Sequence, residues 1–341
     1  MAGLFADYLA GVFFLLPLLI SWLLTASLLR LAPRFGLTDD PDPRKLHAQS
    51  TPGGGGVGIY VAMLVSTLFL PPSRNGDALH LLTLGSVIVL LGLMDDLRPL
   101  PWQLRLAVQT VAAAIAVSTM PADLTWFVRA AAVIWIVGLT NAFNMLDNMD
   151  ALSAGVAWIA AAFLSVAPWL RADAGRSGQL GLHYLELMGA LSGFLWFNRP
   201  PARIFMGDAG STFLGFFLGV CSLKDYLGNF PSLHGLAVPL CILAVPWYDL
   251  ASVVALRLWQ GRSPFHADKQ HLSHRLIRLG LKSHVAVRVI YLLALASGTG
   301  GLLVSQTSGS GVLLEVLQLG CWWLAVAAIE YLGYYRFRCQ S

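Results

Sequence analysis

The chain has 341 residues, of which 57% are hydrophobic and 12% are charged, and its formal net charge is +4. Its mean hydropathy is +0.68. A soluble globular protein with this composition would expose too much apolar surface, so the composition excludes that class and predicts a multispanning membrane protein. The four cysteines show no CxxC spacing, which argues against a disulfide framework and a zinc knuckle.

Apolar segments follow one another along the whole chain. A hydrocarbon core about 30 Å thick requires roughly 17 to 25 apolar residues in a spanning helix. Because several segments are short, we predict a bundle of ten or eleven transmembrane helices, forming one all-α integral membrane domain over residues 1–341. Asp7 is the only charge before the first segment, so we do not expect a cleaved signal peptide. The predicted segments are 8–32, 54–71, 79–94, 102–120, 125–142, 151–170, 181–197, 211–223, 235–257, 285–304 and 312–333.

The positions of the basic residues predict the orientation. Lys and Arg are retained in short cytoplasmic loops. With the N-terminus outside, seventeen of the 22 Lys and Arg residues lie at or near the inner face, and the outer half keeps only Arg74, Arg129, Arg171, Arg176 and Lys224. The pI near 9.0 therefore reflects topology and gives no reason to expect nucleic-acid binding.

Two adjacent carboxylates, Asp95 and Asp96, end the third segment in the string GLMDDLRPL. Neighbouring carboxylates repel each other near a low-dielectric boundary unless a cation offsets their charge. Magnesium takes few carboxylates and keeps waters and phosphate oxygens as its other ligands. We therefore expect a magnesium-dependent site at this helix end.

The third inner loop, TNAFNMLDNMDALSAG, spaces Asn141, Asn144, Asp147 and Asp150 by three residues. Three residues turn an ideal α-helix by about 300°, so the first and last members end on opposite sides. All four reach one ligand only if the helix ends or tightens there. The alternative is a set of ordinary helix-end polar residues.

The fourth inner loop, NRPPARIFMGDAGSTFLGFFLG, places Phe205 and Asp208 just before an apolar segment. A glycine-rich turn that enters a helix offers free backbone N–H groups to a phosphate. Asp208 at this position has the alternative role of an N-cap.

Two further inner loops carry basic residues. The fifth loop, GRSPFHADKQHLSHRLIRLG, combines Arg262, His271 and His274, which predicts a diphosphate pocket or, alternatively, contact with anionic lipid headgroups. The first loop, DDPDPRKLHAQSTPGGGGVG, contains Lys45 and His47 before four glycines. Those glycines allow close approach of a ligand, or close packing of two helices.

Five motifs between about residues 36 and 282 together resemble the polyprenyl-phosphate N-acetylhexosamine-1-phosphate transferases, the group of MraY and WecA. They are DDPDPRKLHAQSTPGGGG, GLMDDLRPL, NAFNMLDNMDAL, RIFMGDAGSTFLG and SPFHADKQHLSHRL, in the order of that family. The resemblance implies transfer of a sugar-1-phosphate from a UDP-linked amino sugar to a polyprenyl phosphate in the bilayer, with release of UMP. It also implies Mg²⁺ as cofactor, with Mn²⁺ as an alternative.

Site roles follow from the same resemblance. It implies that Asp95 and Asp96 are the catalytic acidic pair, and that Asp147 and Asp150 contact the donor or the metal. Asp208 is the implied metal ligand, with Asn144 beside it. The implied substrate-binding residues are Phe205, which stacks on uracil, His271 and His274, which bind the diphosphate, and Lys45, His47, Asn141 and Arg262.

The strings DPDPRKLH and ADKQHLSHRL resemble the WecA type, which transfers GlcNAc-1-phosphate to undecaprenyl phosphate at the cytoplasmic face of the bacterial inner membrane. This would be the first membrane step of a cell-envelope polysaccharide, such as O-antigen or teichoic acid, and a homodimer is one option for the assembly. The muramoyl-pentapeptide branch, which would show TPTMGG and three successive histidines, is the alternative within the family. From another class, an ion-coupled transporter predicts midspan acids, and among the first ten segments only Glu186 and Asp249 are acidic.

Three residues depart from the family pattern. Asn148 and Ala151 stand where glycine usually follows the two aspartates, and Ser273 replaces a histidine. Alanine disfavours a left-handed backbone, so we expect a different local turn at Ala151. Ser273 keeps a hydroxyl that can donate a hydrogen bond.

Overall fold

Helices make up nearly all the regular structure in the computed structural model, which describes residues 2–39, 50–69, 76–121, 123–167, 178–227, 233–264, 268–307 and 310–338. A 3₁₀ turn, Ala32–Phe35, and two short strands, β1 (Thr38–Asp39) and β2 (Thr51–Pro52), lie between the first two helices. The α-helices are α1 (Ala2–Leu31), α2 (Gly55–Phe69), α3 (Gly76–Leu97), α4 (Trp102–Ser118), α5 (Trp126–Leu146), α6 (Leu152–Val166), α7 (Gly178–Asn198), α8 (Gly207–Leu227), α9 (Leu233–Ile242), α10 (Ala244–Trp259), α11 (Leu272–Arg278), α12 (Ser283–Gln306) and α13 (Ser310–Arg338).

Each predicted apolar segment coincides with helical structure, with one correction. The segment 235–257 is two helices, α9 and α10, whose axes differ in direction by 78°. Pro246 has no N–H to donate to the carbonyl of Ile242, so a continuous helix is interrupted between them. Hydrophobicity alone does not reveal this break, because both helices are apolar.

The helices confirm an all-α, multi-pass membrane protein. Five helices in the described part of the chain, α1, α3, α5, α12 and α13, are long and apolar enough to cross a bilayer, and the bent α9–α10 pair gives a sixth. Helices α2 and α6 have 15 residues each, which corresponds to roughly 22 Å. The count of ten or eleven crossings therefore stays a prediction. Large apolar side chains such as Leu19, Leu90, Ile134 and Leu292 cover the outside, as expected for a lipid-facing surface.

Helix α8 runs through the centre of the bundle. Its side chains Phe213, Leu214, Phe216 and Phe217 are fully buried against α2, α3 and α5. The approach to α3 depends on Gly92, where a Cβ atom would lie 2.5 Å from Cα of Ala209. Because α8 is buried along its length, its N-terminus is held in one place by helices on several sides.

Helix α1 packs along α7 through two glycines in the string GALSG. A Cβ atom at Gly189 would lie 2.1 Å from the carbonyl oxygen of Phe14, and one at Gly193 would lie 2.4 Å from that of Leu18. This is the small-xxx-small spacing that lets membrane helices approach closely. The pair α1–α7 forms one wall of the bundle.

The first inner loop is tied to the fourth by backbone hydrogen bonds. The N–H of Phe205 donates to Pro52, and the N–H groups of Gly55 and Gly56 donate to Phe205 and Met206, all at 2.8 to 2.9 Å. A Cβ atom at Gly56 would lie 2.1 Å from Cα of Gly210 on α8. The helix-packing role predicted as one alternative for these glycines is therefore confirmed at Gly55 and Gly56.

We predict that Gly56→Ala lowers the thermal unfolding midpoint in detergent, because the added methyl group meets backbone atoms that cannot rotate away. Overpacking of this kind costs about 1–3 kcal/mol or more. Gly300→Ala is the matched control, since Gly300 is also helical and a methyl carbon there would have no atom within 4 Å. Equal midpoints for the two variants would contradict the close α2–α8 contact.

Candidate active site

A cavity of about 1360 Å³ opens at the end of the bundle where α3, α5, α7 and α10 end and α6 and α8 begin. It is the meeting point of the first, third, fourth and fifth predicted inner loops and of Asp96, from the string GLMDDLRPL. Its lining includes Phe205 and many polar residues: Asp39, Asp96, Asp147, Asn148, Asp150, Asp208, Asp268, Lys269, His271, His274 and His284.

Asp96 caps the N-terminus of α8 from a neighbouring helix. Its two carboxylate oxygens accept the N–H groups of Asp208 at 2.8 Å and Ala209 at 3.2 Å. Gly207, with φ of 77°, makes room for this contact, since a Cβ atom there would lie 2.6 Å from Oδ2 of Asp96. A carboxylate at this position also has a favourable interaction with the positive end of the helix dipole.

Asp208 lies in the first turn of α8, ahead of the predicted apolar span, and is held by two other helices. Its Oδ1 accepts from Nδ2 of Asn144 on α5 at 2.9 Å, and its Oδ2 is 3.2 Å from Nη1 of Arg105 on α4. Asn144 also donates to Oγ of Ser211 at 3.1 Å. The predicted proximity of Asn144 to Asp208 is therefore observed, with the amide as donor.

Asp95 is engaged differently from Asp96. One of its oxygens accepts the N–H of Leu100 at 2.6 Å, and the other forms an ion pair with Arg105. Asp95 does not belong to the cavity lining, whereas Asp96 does. The two adjacent aspartates thus separate into one that ties the α3–α4 turn and one that faces the cavity.

Arg105 joins Asp95 to Asp208 and was not predicted as a site residue. In the sequence it is one basic residue among many near the inner face, and no motif marks it. Its role depends on α4 turning back beside α3, so that the first turn of α4 meets the carboxylates at the end of α3.

Helix α5 ends at Leu146, so the chain is no longer helical where Asp147 begins the α5–α6 connection. Asp147 is the C-cap residue with ψ of 52° and lines the cavity, while Asp150 accepts the N–H of Ala202 at 2.9 Å. Asn141 remains inside α5, where its amide donates to Gln109 and Val137, each at 2.8 Å, away from the cavity lining. Three of the four spaced residues therefore contact or line the site.

Electrostatic repulsion is strong around the α5–α6 loop. Burial raises the pKa of Asp147 well above its usual range, and the carboxylates of Asp208, Asp96 and Asp150 raise it further. Burial, Asp95 and Asp96 likewise raise the pKa of Asp208 to about 7. A site that holds these groups close together favours a bound cation.

The two departures from the family pattern after Asp147 and Asp150 have different outcomes. Ala151 has φ of 62°, so the expectation that alanine avoids the left-handed backbone is wrong here. Its N–H donates to Oδ1 of Asn198 at 2.9 Å and its carbonyl accepts from Tyr291, which hold this conformation from both sides. Asn148 accepts a 2.6 Å hydrogen bond from Oγ of Ser273, the third departure. The hydroxyl of Ser273 is thus used within the protein.

The predicted histidines His271 and His274 both line the cavity. His271 places Nδ1 2.9 Å from the buried carboxylate of Asp249. Burial, His271 and Lys269 lower the pKa of His274 to about 4, so that its imidazole is neutral at pH 7. His274 can therefore donate a hydrogen bond to a phosphate, but it does not carry the positive charge expected from a basic loop.

Two ion pairs anchor the segment that carries the histidines. Arg257 of α10 pairs with Asp268 at 3.0 Å, and Arg275 of α11 pairs with Glu330 of α13 at 2.9 Å. Although burial acts in the opposite direction, the Arg257 guanidinium lowers the pKa of Asp268 below its usual value. The histidine segment is thus fixed to two neighbouring helices.

Four predicted substrate-binding residues are not placed in the cavity, and one of them is Asn141, described above. Arg262 has an exposed side chain and does not line it. Lys45 and His47 lie outside the described residues. Lys269 and His284, which were not predicted, provide basic groups in the lining instead.

The carboxylates that line the cavity fit an open magnesium site, in which the protein provides only some of the ligands. Within the described ranges, no three His, Cys, Asp or Glu residues form a ready-made metal cage. Magnesium, however, binds through one or two carboxylates and completes its octahedron with water and phosphate oxygens. Asp208, with Asp96 or Asp147 beside it, provides such carboxylates at the cavity wall.

Comparison with known proteins identifies the class to which this site belongs. The model of glycosyl transferase family 4 matches residues 78–225, which include the five aspartates from Asp95 to Asp208 described above. The chain is 32% identical over 298 residues to a probable undecaprenyl-phosphate N-acetylglucosaminyl 1-phosphate transferase of Bacillus subtilis, covering 83% of this chain and 81% of that protein. It is 30% identical over 314 residues to the decaprenyl-phosphate N-acetylglucosaminephosphotransferase of Mycolicibacterium smegmatis, covering 80% and 77%.

A third relative is the undecaprenyl-phosphate alpha-N-acetylglucosaminyl 1-phosphate transferase of Thermotoga maritima, 28% identical over 260 residues, with 75% of this chain and 78% of that protein covered. The chain therefore belongs to glycosyl transferase family 4, within the group of polyprenyl-phosphate sugar-1-phosphate transferases. The resemblance drawn from the five motifs is confirmed.

We predict that Arg105→Gln lowers the thermal unfolding midpoint in magnesium-free buffer, because Asp95 and Asp208 lose their shared counter-charge. Added Mg²⁺ should restore more of the midpoint in this variant than it adds to the wild type, since a cation then replaces the guanidinium. The matched control is Arg129→Gln, because the Arg129 guanidinium donates to the backbone carbonyls of Val117, Pro121 and Leu124, at the opposite end of α4. The same response to Mg²⁺ in both variants would contradict a cation site at Asp208.

Proposed function

We propose that this protein transfers GlcNAc-1-phosphate from UDP-GlcNAc to a polyprenyl phosphate, which yields a polyprenyl-diphosphate sugar and UMP. The observation that carries the proposal is the convergence of Asp96, Asp147 and Asp208 with His271 and His274 on one cavity at the end of a membrane bundle. The names of the relatives support this donor sugar and this class of acceptor.

The reaction brings two anions together at the boundary between water and lipid. An oxygen of the acceptor phosphate forms a bond to the sugar-bearing phosphorus of the donor, and the bond from that phosphorus to the UMP oxygen breaks. Phosphoryl transfer is limited by repulsion and alignment, so electrostatic stabilisation provides most of the catalysis. Two groups of lining residues can provide this stabilisation. We call Asp96, Asp147 and Asp208 the acidic wall of the cavity, and His271, His274 and Lys269 the histidine wall.

On the acidic wall, Asp208 with Asp96 or Asp147 would hold Mg²⁺, with Mn²⁺ as an alternative. When bound, the metal supplies positive charge that neutralises the diphosphate and the leaving phosphate. Arg105 and Asn144 orient the Asp208 carboxylate from two sides. Asp96 has a fixed orientation because it also caps α8.

On the histidine wall, His271 and His274 would contact the diphosphate, with Lys269 as a nearby charge. Phe205 lies in the same cavity and is proposed to stack on the uracil ring. A general base is not required, since the second pKa of a phosphate monoester is near 6 and the acceptor is mostly dianionic at pH 7. Asp95, which is tied to Leu100 and Arg105, fits a positioning role better than a base role.

The distribution of basic residues supports a cytoplasmic location for this end of the bundle, with the chain in the inner membrane of a bacterial cell. Undecaprenyl phosphate is then the proposed acceptor, and the product would begin a cell-envelope polysaccharide. The donor reaches the cavity from water and the acceptor from the bilayer. The homodimer stays a prediction.

Two alternatives are less well supported. A muramoyl-pentapeptide transferase is not favoured by the relatives, whose names specify N-acetylglucosamine. For an ion-coupled transporter, Glu186 and Asp249 would be the candidate midspan acids. Both are fully buried, and each is hydrogen-bonded to a histidine, His183 and His271 respectively, so each has a local partner within the fold.

We expect purified protein supplied with Mg²⁺, undecaprenyl phosphate and UDP-GlcNAc to release UMP, and to release less with UDP-GalNAc or UDP-MurNAc-pentapeptide. The measurement is UMP formed per enzyme under equal substrate concentrations. If folded protein releases no UMP from any of the three donors, the transferase proposal fails. If the pentapeptide donor is preferred, the assignment within the family is wrong.

Asp208→Asn should reduce turnover at least about a hundredfold with little change in the unfolding midpoint, because an amide is a poor ligand for Mg²⁺ but retains the size of the carboxylate. Asp123→Asn, an exposed substitution beyond the other end of α4, should have no effect. Turnover of Asp208→Asn within a few fold of wild type would remove Asp208 from the metal site.

A further inference from the structure

One buried acid outside the cavity contacts a residue that lines it. Asp249 lies in α10 with 0% of its surface exposed and is not part of the cavity lining. One of its oxygens is 2.9 Å from Nδ1 of His271, and the other accepts the N–H of Leu272 at 2.6 Å. Both oxygens are therefore directed at the point where the histidine segment enters α11.

This contact determines which atom of His271 is available to a ligand. With Nδ1 engaged by the carboxylate, Nε2 on the other side of the ring is the remaining polar atom. An anion accepts a hydrogen bond from Nε2 only if that nitrogen carries a proton. The hydrogen bond between Nδ1 and the Asp249 carboxylate fixes the plane of the ring, and with it the direction in which Nε2 points.

We propose that Asp249 is a positioning residue, which orients the ring of His271 so that Nε2 is presented to the donor diphosphate. The proposal rests on the proposed function, because that function supplies the anionic ligand. The same logic governs histidines at metal sites, where a carboxylate behind the ring fixes the orientation of the working nitrogen.

A purely structural role for Asp249 is the alternative, and the surrounding contacts argue against its necessity. The segment is already anchored by the pairs Arg257–Asp268 and Arg275–Glu330. The ring of His271 has a further neighbour in the ring of His274, with centroids 6.1 Å apart, so Asp249 is not its only contact. A carboxylate buried only to hold the loop would duplicate those pairs, whereas one that orients the ring of His271 adds a property they do not provide.

The chain contains a matched pair for comparison. Glu186 of α7 is fully buried, and its Oε2 is 2.7 Å from Nδ1 of His183. Neither residue lines the cavity. Glu186 precedes Asn198, the last residue of α7 at the cavity, by twelve positions, which corresponds to roughly 18 Å along the helix. This pair has the same chemistry without access to the ligand.

The test measures the dissociation constant for UDP by calorimetry, together with kcat and the KM values for UDP-GlcNAc and polyprenyl phosphate. Asp249→Asn keeps a carbonyl that accepts from Leu272 but removes the charge. We expect UDP to bind about tenfold more weakly or worse, and the donor KM to rise by a similar factor, with the acceptor KM unchanged. Asp249→Glu should recover part of the affinity, because it retains the carboxylate.

A double-mutant cycle decides whether Asp249 acts through His271. His271→Gln alone should weaken UDP binding, and adding Asp249→Asn to it should weaken binding by no more than about twofold further. If the two losses multiply, or if Asp249→Asn leaves the UDP affinity unchanged, the proposal is overturned. Glu186→Gln should change the unfolding midpoint but not the UDP affinity, and an equal loss of affinity there would show a general packing effect.

The outcomes separate this proposal from the proposed function. If wild-type protein neither binds UDP nor releases UMP, the proposed function fails and this proposal fails with it. If wild-type protein does both and the cycle is multiplicative, only the role of Asp249 fails. Unfolding midpoints of all variants, measured with the same samples, exclude global misfolding as the cause of a weaker affinity.

Discussion

The contact between the end of α3 and the beginning of α8 is the constraint on which the rest of the site depends. Gly92 lets the two helices approach until backbone meets backbone, and Asp96 then reaches the free N–H groups at the start of α8. This one contact satisfies the helix terminus, fixes the direction of Asp208 and keeps two carboxylates close together. Asn144 and Arg105 can orient Asp208 only because α8 cannot slide along its neighbours.

The fold therefore holds several carboxylates close enough to repel one another, and Arg105 partly offsets their charge. The carboxylates lie where burial strengthens their interaction, and a partly exposed arginine offsets only some of it. The remaining negative potential is directed at the cavity, whose lining also carries two of the predicted histidines and Lys269. A donor with a negatively charged diphosphate meets both signs of charge, and the proposed divalent cation would let it approach the acidic side.

The sequence predicted the positions of the helices and the loops that converge, because apolar length and the placement of charged residues are local properties. It did not predict the partners that depend on tertiary packing. Arg105 is unremarkable until α4 folds back on α3, and Asp249 is an isolated acid until the break near Pro246 turns α10 toward α11. Asn148 and Ser273 looked like separate departures from a pattern, yet 125 positions apart they share one hydrogen bond, so each explains the other.

The pair Arg275–Glu330 joins the histidine segment to α13, a helix beyond both the motif-bearing region and the part matched by the family model. Helices of a membrane protein enter the bilayer in order of synthesis, so Glu330 reaches its partner only after α13 has been inserted. The histidine segment therefore gains this second anchor only once α13 is in place. A chain still emerging from the ribosome would thus have Asp96, Asp147 and Asp208 on or beside helices already made before the histidine segment has this second anchor.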